Sequence, residues 1–235
     1  QLFQDVTFGI EKGQKVAFIA KNGSGKTTLL KILAGLESPD SGNVTFRKEL
    51  KLIFLNQEQK FDEGKTVDEI IFSGENEVIK AINRYNKALE NPENQDEYQE
   101  AFEQMNHLNA WEKEVLVQEI LSKLKLNELT QTVELMSGGQ QKRIALAQVL
   151  IEEPDFLILD EPTNHLDIGM IEWLENYLSK QNITLFMVTH DRYFLDNVCN
   201  EIIELDQNQI FRYKGKYSYF LEKRALRYEV EQASI

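Results

Sequence analysis

Apolar residues recur along this chain with two periods. Short runs at 15–20 (KVAFIA), 51–55 (KLIFL), 156–160 (FLILD), 183–188 (ITLFMV) and 201–205 (EIIEL) are rich in β-branched and aromatic residues and predict strands. Several are apolar on both faces, the pattern of parallel strands covered by helices on each side. Helical periodicity fills the gaps at 26–35, 138–151, 168–180 and 191–199, so a layered α/β fold is expected. "LFQDVTF" at 2–8 also alternates like a strand; with no methionine before it, the chain reads as cut from something longer. Residues 66–128 are polar, acidic and helix-permissive, with "ENPENQDEY" at 90–98 as a turn between two long helices. "YSYFLEKRALRYEVEQ" at 217–232 has the spacing of an amphipathic helix with Arg and Lys on its polar side.

Composition narrows the setting. The 235 residues, 42% hydrophobic, suffice for a substantial core. No apolar run approaches the ~18 residues of a membrane span, and no secretory leader opens the sequence. The single cysteine, Cys199, cannot form an internal disulfide. Together these predict a soluble cytoplasmic chain without membrane insertion. A net charge of −13 argues against a protein that coats nucleic acid. Between Glu58 and Glu134 lie 18 acidic and 8 basic residues, whereas residues 212–235 carry six basic and three acidic ones.

The first candidate chemistry follows the first strand. Asn22-Gly23-Ser24-Gly25-Lys26-Thr27-Thr28 joins a strand to a helix, the context of a P-loop. Its glycines let backbone N–H groups turn inward around phosphates, and the helix N-terminus adds positive potential. Lys26 is expected to hold phosphate oxygens and Thr27 to offer a hydroxyl to Mg²⁺. The motif asks for glycine at position 20, where this chain has Ala20. Alanine is tolerable there only if the backbone avoids the left-handed region.

A second candidate is "LILDEPTNHLD" at 157–167, where two adjacent acids end a buried strand. Neighbouring side chains on a strand point to opposite sides. A strand running beside the first and ending in Asp160 suits a Mg²⁺ ligand, and Glu161, aimed elsewhere, can orient or deprotonate an attacking water. A solvated strand end before a proline turn is the plainer alternative. It leaves the P-loop upstream unexplained.

"LMSGGQQKRIALAQVL" at 135–150 then joins the P-loop, "ILDEP" and "VTHD" at 188–191 in an order that resembles the ATP-binding cassette (ABC) ATPases over essentially the whole chain. That resemblance implies an α/β P-loop NTPase of the ABC type, with a mixed sheet core and a helical subdomain. The domains it implies are a core of 1–57 and 137–214, a helical subdomain with an arm-like insertion at 58–136, and the start of a linker helix at 215–235. ATP and Mg²⁺ are the implied ligands, and ATP hydrolysis the implied activity. Ser137, Gly138, Gly139 and Gln140 resemble the signature that contacts a γ-phosphate held by an opposite cassette; Ser137 and Gln140 also fit a capping box. Gln57 resembles the glutamine that reaches Mg²⁺ and the attacking water, His190 the switch histidine, and Asp167 the aspartate that links two sites across a dimer. The aromatic residue that stacks on adenine in this family falls upstream of the matching start and is expected to be missing.

"DEPTNHLD" followed by "THDRYFLD" resembles the ABC-F branch, whose members carry two cassettes on one chain and mostly act at the ribosome. The chain is accordingly similar to the first cassette of a Uup-like ABC-F protein, with a second cassette as partner and the basic tail as a candidate RNA contact. An ordinary amphipathic helix laying its lysines over a core accounts for that tail equally well. The insert's acidity also fits a simple solvated face. The alternative function is an ATPase subunit energising a membrane transporter. A DNA-maintenance ATPase is less well matched, because neither heptads nor paired cysteines occur.

Overall fold

A computed structural model describes residues 3–233. The chain divides into two compact units, residues 1–57 with 154–235, and residues 58–153.

The first unit is built on a six-stranded sheet of β1 (Lys15–Ala20), β2 (Leu52–Leu55), β3 (Phe156–Asp160), β4 (Thr184–Val188), β5 (Glu201–Asp206) and β6 (Gln209–Lys214). Its order is β2-β3-β4-β1-β5-β6, parallel throughout except for the final antiparallel pair. Every residue of β3, β4 and β5 is buried, which is why their apolar runs do not alternate. Phe18 and Phe8 pack on Phe186, their ring centroids 5.5 and 5.8 Å away. Around them Val16, Leu29, Leu30, Ile158, Val188 and Ile203 complete the core. The helices of this unit are α1 (Lys26–Leu33), α7 (Ile168–Lys180), α8 (Arg192–Val198) and α9 (Tyr217–Ala233).

Three expectations change here. The strand expected over 2–8 is not formed among the described residues; Phe3, Val6, Phe8 and Ile10 still turn toward the core, but they do so without a ladder partner. β3 does not run beside β1, because β4 lies between them. That insertion brings the end of β4, and with it His190, alongside the two acids, since Val188 pairs in register with Asp160. And β6, half-exposed at the sheet edge with a polar sequence, had no apolar run to announce it.

The second unit is helical: α2 (Val67–Ile71), α3 (Glu77–Glu90), α4 (Gln95–His107), α5 (Trp111–Lys123), a 3₁₀ turn at Val133–Leu135 and α6 (Gly138–Glu152). The turn expected near 90–98 is the short link between α3 and α4. Asn76 and Asn94 cap those helices, their side chains accepting the N–H groups of Val78 and Glu97. Arg84 crosses the hairpin to Glu97 and Glu100 at 2.6 and 2.7 Å. The expected boundary at 136/137 falls instead at 153/154. The reason is α6, whose buried Ile144, Leu146, Val149, Leu150 and Ile151 give it an apolar surface most of the way round, and it packs on α2 and α5.

Candidate functional site

The loop after β1 turns on two glycines in the left-handed region, Gly23 (φ 78°) and Gly25 (φ 90°), where a side chain would be strained. Ala20 is not among the positive-φ residues; it ends β1 in register with Leu205. The missing glycine is therefore compatible with the loop. Lys26 folds back over it, its ammonium donating to the Ala20 carbonyl at 3.0 Å and to Asn22 Oδ1 at 3.2 Å. Those two bonds pre-position the cation and leave a third donor for a phosphate oxygen. Thr27 is exposed on the first turn of α1 and Thr28 is half-buried behind it.

Asp160, only 4% exposed, closes β3. Gln57 Nε2 donates to its Oδ1 at 3.1 Å, which brings a residue 103 positions away into the site. Burial pushes the Asp160 carboxyl above the usual carboxylate range, against the Gln57 hydrogen bond and the Lys26 charge, which favour ionisation. Within the described residues, Asp160 Oδ2 and Ser24 Oγ are among the buried side-chain atoms without a hydrogen-bond partner. An orphaned carboxylate oxygen is the feature expected of a cation ligand. Mg²⁺ fits this set: it is held by one or two carboxylates together with waters and phosphate oxygens, not by a dense cage of acids. No group of three or more His, Cys, Asp or Glu able to hold a metal occurs among the described residues.

Glu161 leaves the strand by a different path. Its backbone is left-handed (φ 50°), a strained conformation for a side-chain-bearing residue, and its N–H donates to Val188 O at 2.8 Å. The turn aims its carboxylate at His190, whose backbone N–H donates to Oε2 at 3.2 Å and whose Nδ1 contacts Oε1. His190 itself is 74% exposed. Lys26, Gln57, Asp160, Glu161 and His190 thus meet at the carboxyl ends of parallel strands, where open α/β sheets present their ligand crevice.

The remaining candidates stand differently. Asp167 caps α7, its Oδ1 accepting the Met170 N–H at 2.9 Å. Ser137, Gly138, Gly139 and Gln140 open α6 in the second unit. The capping box is present: Ser137 Oγ accepts from Gln140 N at 3.2 Å, and Gln140 Oε1 accepts from Ser137 N at 2.8 Å. Ser137 and Gly138 lie on the surface, and a Cβ at Gly138 would meet nothing within 4 Å. Nothing in the chain's own packing requires that glycine.

Sequence reasoning missed one cluster next to the loop. Lys21 Nζ lies 3.8 Å from Asp206, one of three buried acids on β5, and half the tail's cations are spent on them: Arg212 pairs with Glu201, Arg224 and Arg227 with Glu204, and Arg227 with Asp206. Acids at 201, 204 and 206 in an otherwise apolar strand were the available signal.

The ABC transporter family profile matches residues 3–164. An ABC transporter ATP-binding protein named YfmR from Bacillus subtilis is 46% identical over 96% of this chain and 37% of its own length. The energy-dependent translational throttle protein EttA of Mycobacterium tuberculosis is 35% identical over 98% of this chain and 42% of its own. ABC transporter F family member 2 of Arabidopsis thaliana is 38% identical over 99% and 36%. The chain therefore spans about two fifths of the curated relatives it matches. A solved ATP-binding subunit of an ABC transporter superposes with a TM-score of 0.70 at 22% identity, covering 96% of this chain and 88% of that one. No helix among the described residues is long and apolar enough to cross a membrane. By the family match over residues 3–164, the chain belongs to the ABC transporter family.

Proposed function

We propose that this cassette grips Mg·ATP on the loop at 22–28 and that it is the first of two cassettes in a longer, Uup-like ABC-F protein working at the ribosome. Nucleotide-driven closure on the second cassette is the motion that ATP would control. The observation that carries the chemistry is the meeting of Lys26, Gln57, Asp160, Glu161 and His190 around an orphaned carboxylate oxygen. The translational setting rests on the relatives, one of which is named for throttling translation.

Each residue has one task in this reading. The Lys26 ammonium and the loop's amides take the charge that builds on the phosphates, in a place where they need no reorganisation. Thr27, Gln57 and Asp160 hold Mg²⁺, which when bound would neutralise phosphate charge. Glu161 accepts a proton from, or orients, the attacking water, and His190 steadies Glu161 and meets the γ-phosphate. Ser137, Gly138, Gly139 and Gln140 serve the partner cassette's nucleotide, and Asp167 joins the two sites. Lys214, Lys216 and Lys223, which make no ion pair with the β5 acids, are the tail cations offered to RNA.

Glu161→Gln tests the assignment. The variant should bind ATP as tightly as the parent while hydrolysis falls on the order of 100-fold or more. Hydrolysis at the parental rate refutes the role given to Glu161. Specific activity of the isolated chain should also rise with its concentration, because each site needs a second copy's signature tip; a constant value across a wide dilution series refutes that sharing.

A further inference from the structure

Two of the buried acids of β5, Glu204 and Asp206, lie at the strand end nearest the phosphate loop, and two arginines of α9 pair with them. Leu205 pairs with Ala20, whose carbonyl Lys26 holds, so Asp206 begins one residue beyond the point where the loop leaves the sheet. Adjacent strands lie about 4.8 Å apart, and the Lys21 contact confirms how near Asp206 comes to the loop. Glu204 and Asp206 are 4% and 5% exposed. Arg227 of α9 answers both. Its Nη1 donates to Glu204 Oε2 at 3.0 Å and to Tyr213 Oη at 2.8 Å, and its Nη2 donates to Asp206 Oδ2 at 2.7 Å. Its guanidinium carbon sits 3.6 Å above the centre of the Phe211 ring. Tyr228 donates to Asp206 Oδ2 at 2.8 Å, Tyr213 donates to Glu204 Oε2 at 3.1 Å, and Arg224 stands 3.5 Å from Glu204 Oε1. Burial holds the Tyr213 hydroxyl up at about 12, so it remains a donor at neutral pH.

A staple for α9 alone does not need this construction. A buried ion pair is commonly no more stabilising than well-packed apolar side chains of the same volume. The location supplies another use. Two uncompensated carboxylates beneath a loop that must receive several negative charges would repel the nucleotide, through protein where screening is weak. We infer that Arg227 is a positioning residue for nucleotide binding: together with Arg224 it offsets the charges of Glu204 and Asp206 near the phosphate loop, and so makes ATP affinity depend on the docking of α9. This rests on the nucleotide site proposed above and goes beyond it, because none of these side chains is assigned to touch the ligand.

A charge series distinguishes the inference from a purely structural staple. The affinities of this chain for ATP, ADP and AMP are measured by competition with a fluorescent ADP analogue, for the parent, Arg227→Met, Asp206→Asn and the double variant. One added negative charge roughly 10 Å from the phosphates corresponds to about a three- to tenfold loss. Arg227→Met should lose that factor for ATP, less for ADP and least for AMP. Asp206→Asn, which retains an acceptor for Arg227 and Tyr228, should shift affinity the opposite way in the same order, and the double variant should return within about twofold of the parent. Equal factors for all three nucleotides, or an Asp206→Asn affinity unchanged for ATP, overturns the inference. Should Arg227→Met not fold, Asp206→Asn decides alone. Lys26→Ala is the control: if it abolishes ATP binding while the charge series stays flat, only the role of Arg227 fails; if Lys26→Ala binds ATP normally, the site itself is misassigned.

Discussion

Asp160→Asn separates what the site costs the fold from what it gives the chemistry. The parent carboxylate is buried, has one oxygen on Gln57 and one without a partner, and has its pKa raised chiefly by desolvation. In the absence of nucleotide and Mg²⁺, burial disfavours its charged form, opposed by the Gln57 hydrogen bond and the Lys26 charge. Leaving one buried acceptor unsatisfied costs about 1–3 kcal/mol. Asparagine keeps the Oδ1 acceptor for Gln57 and removes the charge, while its amide N–H groups take over the unpartnered position, so only the charge penalty is relieved and the variant should be more stable by about 1 kcal/mol. For a chain of this size it should melt roughly 2–4 °C higher.

The pH dependence has a definite sign. A carboxyl with a raised folded-state pKa is protonated in both states below its unfolded value of about 3.8 and carries no penalty there. The penalty grows as pH rises from that value through the raised folded-state one, and is complete above it. The stability gap between Asp160→Asn and parent should therefore be widest at neutral pH and close on acidification. Calorimetry of both proteins with chelator, from pH 7 downward, measures it. Mg²⁺-dependent hydrolysis should fall on the order of 100-fold or more in the same variant. An Asp160→Asn protein that melts at or below the parent temperature at neutral pH, with a gap independent of pH, refutes the claim that burial dominates at this residue.

Two further predictions use backbone geometry. Gly25→Ala, at φ 90°, should destabilise the fold by about 1–3 kcal/mol and weaken ATP binding at least about tenfold, whereas Ala20→Gly should leave ATP affinity unchanged and cost only about 0.5–1 kcal/mol of strand stability; isothermal titration and thermal melting read both. Gly138→Ala should fold at least as well as the parent, since nothing surrounds the position and alanine suits a helix, yet lose concentration-dependent ATPase activity. Unimpaired activity in Gly138→Ala at high protein concentration counts against a role for the α6 tip.

Much of the site was legible because its demands are local. A phosphate loop needs glycines at fixed offsets between a strand and a helix, and Gly23, Gly25 and Lys26 advertise that geometry within a few residues. The strands at 15–20 and 156–160 were equally readable, because burial on both faces leaves an uninterrupted apolar run. What escaped depends on long-range pairing. The placement of β4 between β1 and β3 is a matter of topology, which no local pattern encodes. β6 forms because the turn at Gln207 and Asn208, both at positive φ, folds a polar segment back on β5, so ladder bonds and not periodicity define it. The unit boundary moved because α6 is apolar on several sides, and periodicity alone does not say which neighbours will cover it. Arg224 and Arg227 were read on the polar side of a tail helix, since nothing nearby in the sequence reveals that their partners lie about 20 residues upstream.

The two buried acidic strand ends show how structure assigns roles that sequence leaves equivalent. β3 ends in Asp160-Glu161, and β5 carries Glu204 and Asp206; both put carboxylates in the interior of one sheet. At β5 the two acids are answered by two arginines and two tyrosines, and the charges cancel within the chain. At β3 the accounting stops short: one Asp160 oxygen lacks a partner, its pKa is driven up, and Glu161 is held in a strained turn. A fold selected only for stability would remove those defects, since each costs on the order of 1–3 kcal/mol. Their coincidence at the crevice beside Lys26, whereas each carboxylate of β5 has an arginine partner, is the physical reason to propose the cation and the attacking water at Asp160 and Glu161, and an indirect role for the β5 acids.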